Sequence, residues 1–219
     1  MDKQQVQLAE AVELLRNPKA LKRESGAKRL RKLGLSEAGD AVFEALQREL
    51  KDKRTWSAKY HLIITLGVLK HLPALPLLWE LASQEMEATI LYMSLGDALM
   101  RLLLSDGVTP AEAWVAILRT QRPMLFDGAL RATALLKLVP DAETIRSMLV
   151  VADEPEFAQQ VHGYPGDPSG IRYWAAVASA GWPQDLTREF LASCQHINHV
   201  GLRYAAELAQ KRKYVKWDY

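Results

Sequence analysis

A short pattern recurs in this chain and constrains its fold more than any other feature. Residues 170–176 read GIRYWAA, residues 201–206 read GLRYAA, and residues 128–134 read the looser GALRATA. Each copy begins with glycine and combines an apolar residue and a cation with small apolar residues. A segment that returns after a few tens of residues is typical of a repeat protein, whose units bury their apolar faces against one another.

Two more distant copies lie at residues 26–34 and 57–67. Together the copies resemble the first helix of HEAT-type repeats, and the resemblance extends over residues 20–213. It implies an all-α fold, a right-handed α-α superhelix (a HEAT-like solenoid) of about five to six helix pairs. It also implies that small side chains let neighbouring helices approach closely. Because a solenoid has no internal boundary, residues 1–219 are expected to form a single domain.

Proline positions predict the second helix of each pair. Four prolines each begin an apolar-periodic run after one of the copies: Pro73, Pro110, Pro140 and Pro183. Proline suits the first helical position because no N–H is needed there and its φ angle is already helical. Thr109 and Glu112, on either side of Pro110, add the two side chains of a capping box.

Three segments depart from the repeat. Residues 1–18 predict an amphipathic N-terminal cap helix. Residues 152–169 hold three prolines and two glycines, which indicates a loop insertion much longer than ordinary connections. Residues 214–219 form a tail with three aromatic residues, which is expected either to dock on the last helix or to help form an interface.

Composition excludes several classes of protein. With Cys194 as its one cysteine, the chain has no internal disulfide. It has neither a leader-like N-terminus nor an apolar run of the ~20 residues that a membrane span needs, so we expect a cytoplasmic protein with no membrane contact. His196 and His199 lack further ligands at metal-binding spacing, and no phosphate-binding or dinucleotide-binding glycine motif occurs. No cofactor, no metal and no catalytic residue are therefore predicted.

Charge is unevenly distributed along the chain. Residues 1–70 carry a net charge of +6 and residues 171–219 carry +3, whereas residues 71–112 hold one Lys or Arg against six Asp and Glu, a net of −5. In a solenoid, position in the sequence maps to position along the array, so an acidic middle between basic ends is expected. The alternative for the acidic stretch is a solvated face without a partner. The basic run at residues 19–32 could contact nucleic acid, but no nucleic-acid-binding motif accompanies it, and a solvated helical face is favoured.

The acidic middle supplies the candidate partner-binding residues. They are Glu80, Glu85, Glu87, Asp106 and Glu112, and in the loop insertion Asp153, Glu154, Glu156, His162, Tyr164 and Asp167. Within the insertion, Tyr164 follows the pattern of a rigid aromatic anchor on an exposed loop, and His162 would tune its contact.

Asp97 is a separate case, because it lies among apolar residues of a first-helix segment. We expect it to bond a neighbouring backbone group or to pair with Arg101 or Arg131, since a buried carboxylate needs a partner. The tryptophans of the helices are expected to be packed in the core; they are Trp56, Trp79, Trp114, Trp174 and Trp182.

These observations favour a non-catalytic protein-binding solenoid over an enzyme. The leading hypothesis is a stoichiometric inhibitor, such as a bacterial immunity protein, that occludes the active site of a basic nuclease toxin. Such a protein would be monomeric alone and heterodimeric with its partner. One alternative is a nucleic-acid-binding protein similar to the HEAT-like alkylpurine DNA glycosylases, with Asp97 as the catalytic candidate. That alternative is disfavoured, because Asp97 lies in the acidic third of the chain. The other alternative is an assembly scaffold or adaptor.

Overall fold

The computed structural model of the chain describes residues 3–155 and 170–216. These residues form twelve α-helices and three short 3-10 turns and contain no strand, which confirms the predicted all-α class. The helices are α1 (Lys3–Leu14), α2 (Ala20–Leu33), α3 (Gly39–Glu49), α4 (Trp56–Val68), α5 (Leu75–Ser83), α6 (Ile90–Ser105), α7 (Pro110–Leu118), α8 (Pro123–Leu135), α9 (Ala142–Asp153), α10 (Arg172–Ala178), α11 (Gln184–His196) and α12 (Val200–Gln210).

Local signals place the starts of several helices. At α7, the Thr109 hydroxyl accepts a hydrogen bond from Glu112 N at 3.3 Å, and the Glu112 carboxylate accepts one from Thr109 N at 3.0 Å. This is the predicted capping box. Asp141 caps α9 by accepting from Thr144 N at 2.9 Å. Helix α8 begins at Pro123, a turn earlier than the repeat pattern predicts, because proline again occupies the first helical position.

The helices pack in an alternating pattern. Each even-numbered helix contacts the next even-numbered one, from α2 through α4, α6, α8 and α10 to α12. Each odd-numbered helix from α3 to α11 contacts the even-numbered helix that follows it, and α1 packs on α2. We call the two sets the even row and the odd row. The five repeat copies all lie in the even row, so the sequence pattern marks the helices with continuous mutual contacts.

Small residues allow the close approach of helices within the even row. A Cβ added to Gly67 of α4 would lie 2.6 Å from Ala98 Cα of α6. A Cβ on Gly128 of α8 would overlap the carbonyl oxygen of Met93 in α6, and one on Gly96 would overlap the backbone of α8. These contacts are made by backbone atoms, so a larger side chain would force the helices apart.

Polar contacts bind the helix ends together. Arg23, near the start of α2, pairs with Glu49 at the end of α3 and donates to two carbonyls of the α1–α2 connection. Where even-numbered helices end, Trp182 Nε1 donates to the Leu138 carbonyl at 2.9 Å. The loops that lead from odd-numbered to even-numbered helices therefore lie at one end of the helices. The loops that follow even-numbered helices lie at the opposite end.

The aromatic residues follow expectation with one exception. Trp114 and Trp182 are fully buried, Trp174 is nearly so, and Trp79 packs against the core. Trp56 is 45% exposed, so its predicted core position is wrong. It is the first residue of α4, where no preceding turn of the same helix helps to cover it.

The predicted irregular segments are described in part. Helix α1 lies within the segment 1–18 and packs on α2. Helix α9 continues to Asp153, two residues into the predicted 152–169 loop. In the tail, Tyr214 packs against Gly181. Residues 156–169 and 217–219 lie outside the described residues.

Candidate functional site

Asp97 lies on α6 with no exposed surface. Its Oδ1 accepts a hydrogen bond from Arg101 Nε, one turn along the same helix, and its Oδ2 accepts one from Arg131 Nη1 of α8, both at 2.7 Å. Gly128 permits this approach of α8, because a Cβ there would lie 2.8 Å from the Asp97 backbone nitrogen. The predicted pairing of Asp97 with Arg101 or Arg131 is confirmed, and it involves both arginines.

The two ion pairs are shielded from water. The side chains of Arg101 and Arg131 are 8% and 12% exposed. Burial of an isolated carboxylate is costly, and short charge-assisted hydrogen bonds to both oxygens offset that cost. Asp97 therefore joins α6 to α8 and orients Arg131. Its carboxylate is not presented to a ligand. This geometry does not favour the glycosylase alternative, which requires an accessible carboxylate.

Arg131 also reaches the next helix of the even row. Its Cζ lies 5.6 Å from the ring centroid of Trp174 in α10, within cation–π range. Tyr173 meets Trp174 edge to face, with centroids 5.2 Å apart. We call Asp97, Arg101, Arg131 and Trp174 the Arg131 cluster. It connects α6, α8 and α10 through one guanidinium group.

A second polar cluster joins α2 and α4. His61 Nε2 lies 3.6 Å from Glu24 Oε1, and His61 Nδ1 lies 3.5 Å from Arg31 Nη1. Burial, together with the positive charges of Lys28 and Arg31, lowers the pKa of His61 to about 4. His61 is therefore uncharged at neutral pH. Tyr60 packs edge to face on its ring at 5.0 Å, and burial raises the pKa of Tyr60.

A groove of about 950 Å³ lies between the ends of α8, α10 and α12 and the segment that follows α12. Leu135, Val177 and Leu208 line it with aliphatic surface, and Tyr204 lines it with a side chain left 55% exposed. Three lysines also line it: Lys137, Lys213 and Lys216. Leu135 follows Arg131 by one helical turn, so the groove continues the face that carries the Arg131 cluster. We call this feature the C-terminal groove.

Three of the predicted acidic residues lie near the α5–α6 connection; Glu80 and Glu85 are exposed, whereas the Glu87 side chain is 20% exposed. Glu87 pairs with the buried Lys59 of α4. The Glu85 side chain is 90% exposed and lies 3.4 Å from Arg122 Nη2. Glu80 accepts a hydrogen bond from Gln84 Nε2 at 3.0 Å. The structure thus brings Glu80, Glu85 and Glu87 together, and cations of neighbouring helices partly neutralise them.

The other predicted acidic residues are separated from this group. Asp106 and Glu112 are exposed near the α6–α7 connection, at the opposite end of the helices, and Glu112 serves the capping box. Asp153 accepts from Arg172 Nε at 2.9 Å, and Glu154 follows it at the end of α9. Four further candidates lie outside the described residues: Glu156, His162, Tyr164 and Asp167.

Residues 3–155 and 170–216 contain no group of three or more His, Cys, Asp or Glu side chains placed to hold a metal ion. His199 instead caps α12, where its Nδ1 accepts from Leu202 N at 3.0 Å. Cys194 is fully buried, and burial raises the pKa of its thiol to about 12. A thiol of that pKa is not a nucleophile at neutral pH.

No protein-family model matches the chain, and comparisons with curated proteins and with solved structures find no match. The resemblance to HEAT-type repeats therefore rests on the repeated residues and on the alternating helix contacts. Among the described helices, none is long and apolar enough to cross a lipid bilayer.

Sequence reasoning missed the C-terminal groove, although the repeat contained a signal for part of it. Tyr173 and Tyr204 hold the same fourth position in the copies at 170–176 and 201–206. An aromatic residue at the same position of successive repeats predicts a stripe along one face of the array. No repeated position in the sequence marks Lys137 and Lys213. Both follow the ends of helices, and only the packing of those helices places them along the same groove.

Proposed function

We propose that this chain is a non-catalytic protein-binding array of the HEAT-like kind. Its two rows of helices would wind into a right-handed superhelix. The continuous contacts along the even row support this arrangement, and so do the glycines at its closest approaches. The engagement of both Asp97 oxygens by arginines supports a binding role rather than a catalytic one.

One observation carries the choice of partner. The only cation of residues 71–112 is Arg101, which is buried against Asp97. With Arg101 and Asp97 paired, the net charge of −5 comes from Glu80, Glu85, Glu87, Asp106 and Glu112; all but Glu87, whose side chain is 20% exposed against Lys59, are exposed carboxylates. An exposed surface of one sign attracts partners of the opposite sign and raises their association rates. The partner we propose is a basic protein.

The proposed mechanism is occlusion, in the cytoplasm, of the nucleic-acid-binding cleft of a partner such as a nuclease toxin. The array would be an immunity-type inhibitor, monomeric alone and heterodimeric in the complex. Glu80 and Glu85 are the carboxylates best placed to meet a partner. Glu87 and Glu112 are already held by Lys59 and by Thr109, so their loss would affect stability as well as binding.

The test is capture of partners on the full chain from its native cell, followed by charge reversal. We expect a basic protein at fixed stoichiometry, whose affinity falls about tenfold or more, mainly through the association rate, in Glu80→Lys/Glu85→Lys. The matched control is Glu13→Lys/Glu44→Lys, which makes the same charge change at side chains 74% and 70% exposed on α1 and α3. Equal effects of the two pairs, or no effect of either, would contradict the proposal.

The same capture distinguishes the two alternatives. Nucleic acid that elutes with the protein and is released by salt would support a nucleic-acid-binding role. Several proteins in one large assembly would support a scaffold. Neither result is expected from an inhibitor.

A further inference from the structure

The C-terminal groove lies apart from the acidic residues on which the proposed function rests. Its aliphatic floor is formed by the half-buried Leu135 of α8 and Leu208 of α12, with the buried Val177 of α10 between them in the even row. Tyr204 adds an aromatic side chain with more than half of its surface exposed. At about 950 Å³, its volume is at the upper end of the range for pockets that hold small ligands, so it can accept several side chains.

The wall formed by the chain after α12 is held in place. Lys213 N donates to the Leu208 carbonyl at 2.8 Å, and Arg212 Nη1 donates to the Trp182 carbonyl at 3.3 Å. Lys137 lies over the aromatic ring of Tyr214, with its Nζ 5.1 Å from the ring centroid, and helps to hold that side chain in place. A groove whose walls are already ordered loses little conformational entropy when a ligand enters.

The charge of the groove is positive. Lys137, Lys213 and Lys216 line it, and none of its described lining residues carries a carboxylate. All three lysines are exposed. The aliphatic floor and the rim formed by these lysines together match a ligand in which apolar and anionic groups alternate.

We propose that the C-terminal groove binds a short acidic peptide segment with aliphatic side chains. The aliphatic groups would lie on Leu135 and Leu208, and the carboxylates would pair with the lysines. This proposal is independent of the acidic surface at residues 71–112, because the two surfaces have opposite charge and different positions along the array.

The lining favours a peptide over a nucleic acid. Single strands are bound by successive aromatic platforms on which bases stack. Here Tyr214 already has Lys137 over its ring, which leaves Tyr204 as the exposed aromatic of the lining. The rest of the floor is aliphatic and matches leucine or valine side chains rather than base faces.

The experiment is fluorescence anisotropy on the full chain with three labelled probes. They are an octapeptide that alternates glutamate and leucine, one that alternates lysine and leucine, and a single-stranded oligothymidylate. We expect saturable binding of the acidic peptide that weakens with salt, and at least about tenfold weaker binding of the basic one. Equal binding of both peptides would overturn the proposal, and so would tighter binding of the oligonucleotide.

Two variants test the location of binding. Lys213→Glu/Lys216→Glu should weaken acidic-peptide binding by about tenfold, because two attractive charge pairs become repulsive ones. Tyr204→Ala should weaken it without changing its salt dependence. The matched control, Lys51→Glu/Lys53→Glu, reverses two exposed lysines between α3 and α4 and should leave affinity unchanged. With native circular dichroism confirmed for each variant, wild-type affinity in Lys213→Glu/Lys216→Glu would refute the assignment.

Discussion

Asp97→Ala provides the sharpest test of how the even row is held together. The substitution leaves Arg101 and Arg131 beside each other without their shared anion, with side chains only 8% and 12% exposed. Removal of one partner from a buried ion pair typically costs about 3–5 kcal/mol, because the remaining charge stays desolvated. For a chain of this size, that loss corresponds to a fall in Tm of about 6–20 °C.

The measurement is urea unfolding followed by far-ultraviolet circular dichroism. Asp106→Ala, at an exposed carboxylate just after the same helix, is the control and should change stability by less than about 0.5 kcal/mol. In a double-mutant cycle with Arg131→Met, we expect a coupling energy of at least about 1 kcal/mol. The reasoning fails if Asp97→Ala unfolds within about 1 kcal/mol of the wild-type chain with an unchanged m-value.

Three further predictions follow from the geometry. Gly128→Ala should destabilise the fold by about 1–3 kcal/mol or more, since its Cβ would overlap the backbone of α6. Gly201→Ala, whose Cβ would lie 3.2 Å from Cε1 of the His199 ring, should be near neutral in the same urea assay. The pKa of His61 is about 4 in the folded chain and 6.5 for an ordinary histidine, so between these pH values the unfolded chain binds a proton that the folded chain does not. The free energy of unfolding should therefore fall by up to about 3 kcal/mol as the pH drops from 6.5 to 4. His61→Gln should flatten that dependence, and an equal slope in both proteins would contradict the prediction. Cys194 should react with a thiol reagent only at the rate of unfolding in native buffer, and immediate labelling would show that its burial is wrong.

Much of the helical pattern was predictable because its causes are local. The capping box at Thr109 depends on residues within one turn, and proline at Pro110 sets the backbone of the same turn. Asp97 was predictable for a related reason. A carboxylate on an apolar face must find a cation within reach, and Arg101 at four residues is on the same side of the helix.

The candidate surfaces were less predictable because they depend on contacts between helices that are distant in sequence. Net charge along the sequence indicated an acidic middle, yet Glu87 is paired with Lys59, 28 residues away. Glu85 lies near Arg122 of a later helix. The C-terminal groove exists only because the chain after α12 turns back toward α8, which no local pattern encodes.

The Arg131 cluster has a consequence for how the array loses structure. In a simple repeat protein each unit touches only its neighbours, so the ends melt first and the boundary moves inward one unit at a time. Here a single guanidinium contacts α6 on one side and α10 on the other. That shared group couples the α6–α8 contact to the α8–α10 contact. The centre of the even row should therefore open in one cooperative step, and partial opening should be confined to its terminal helices.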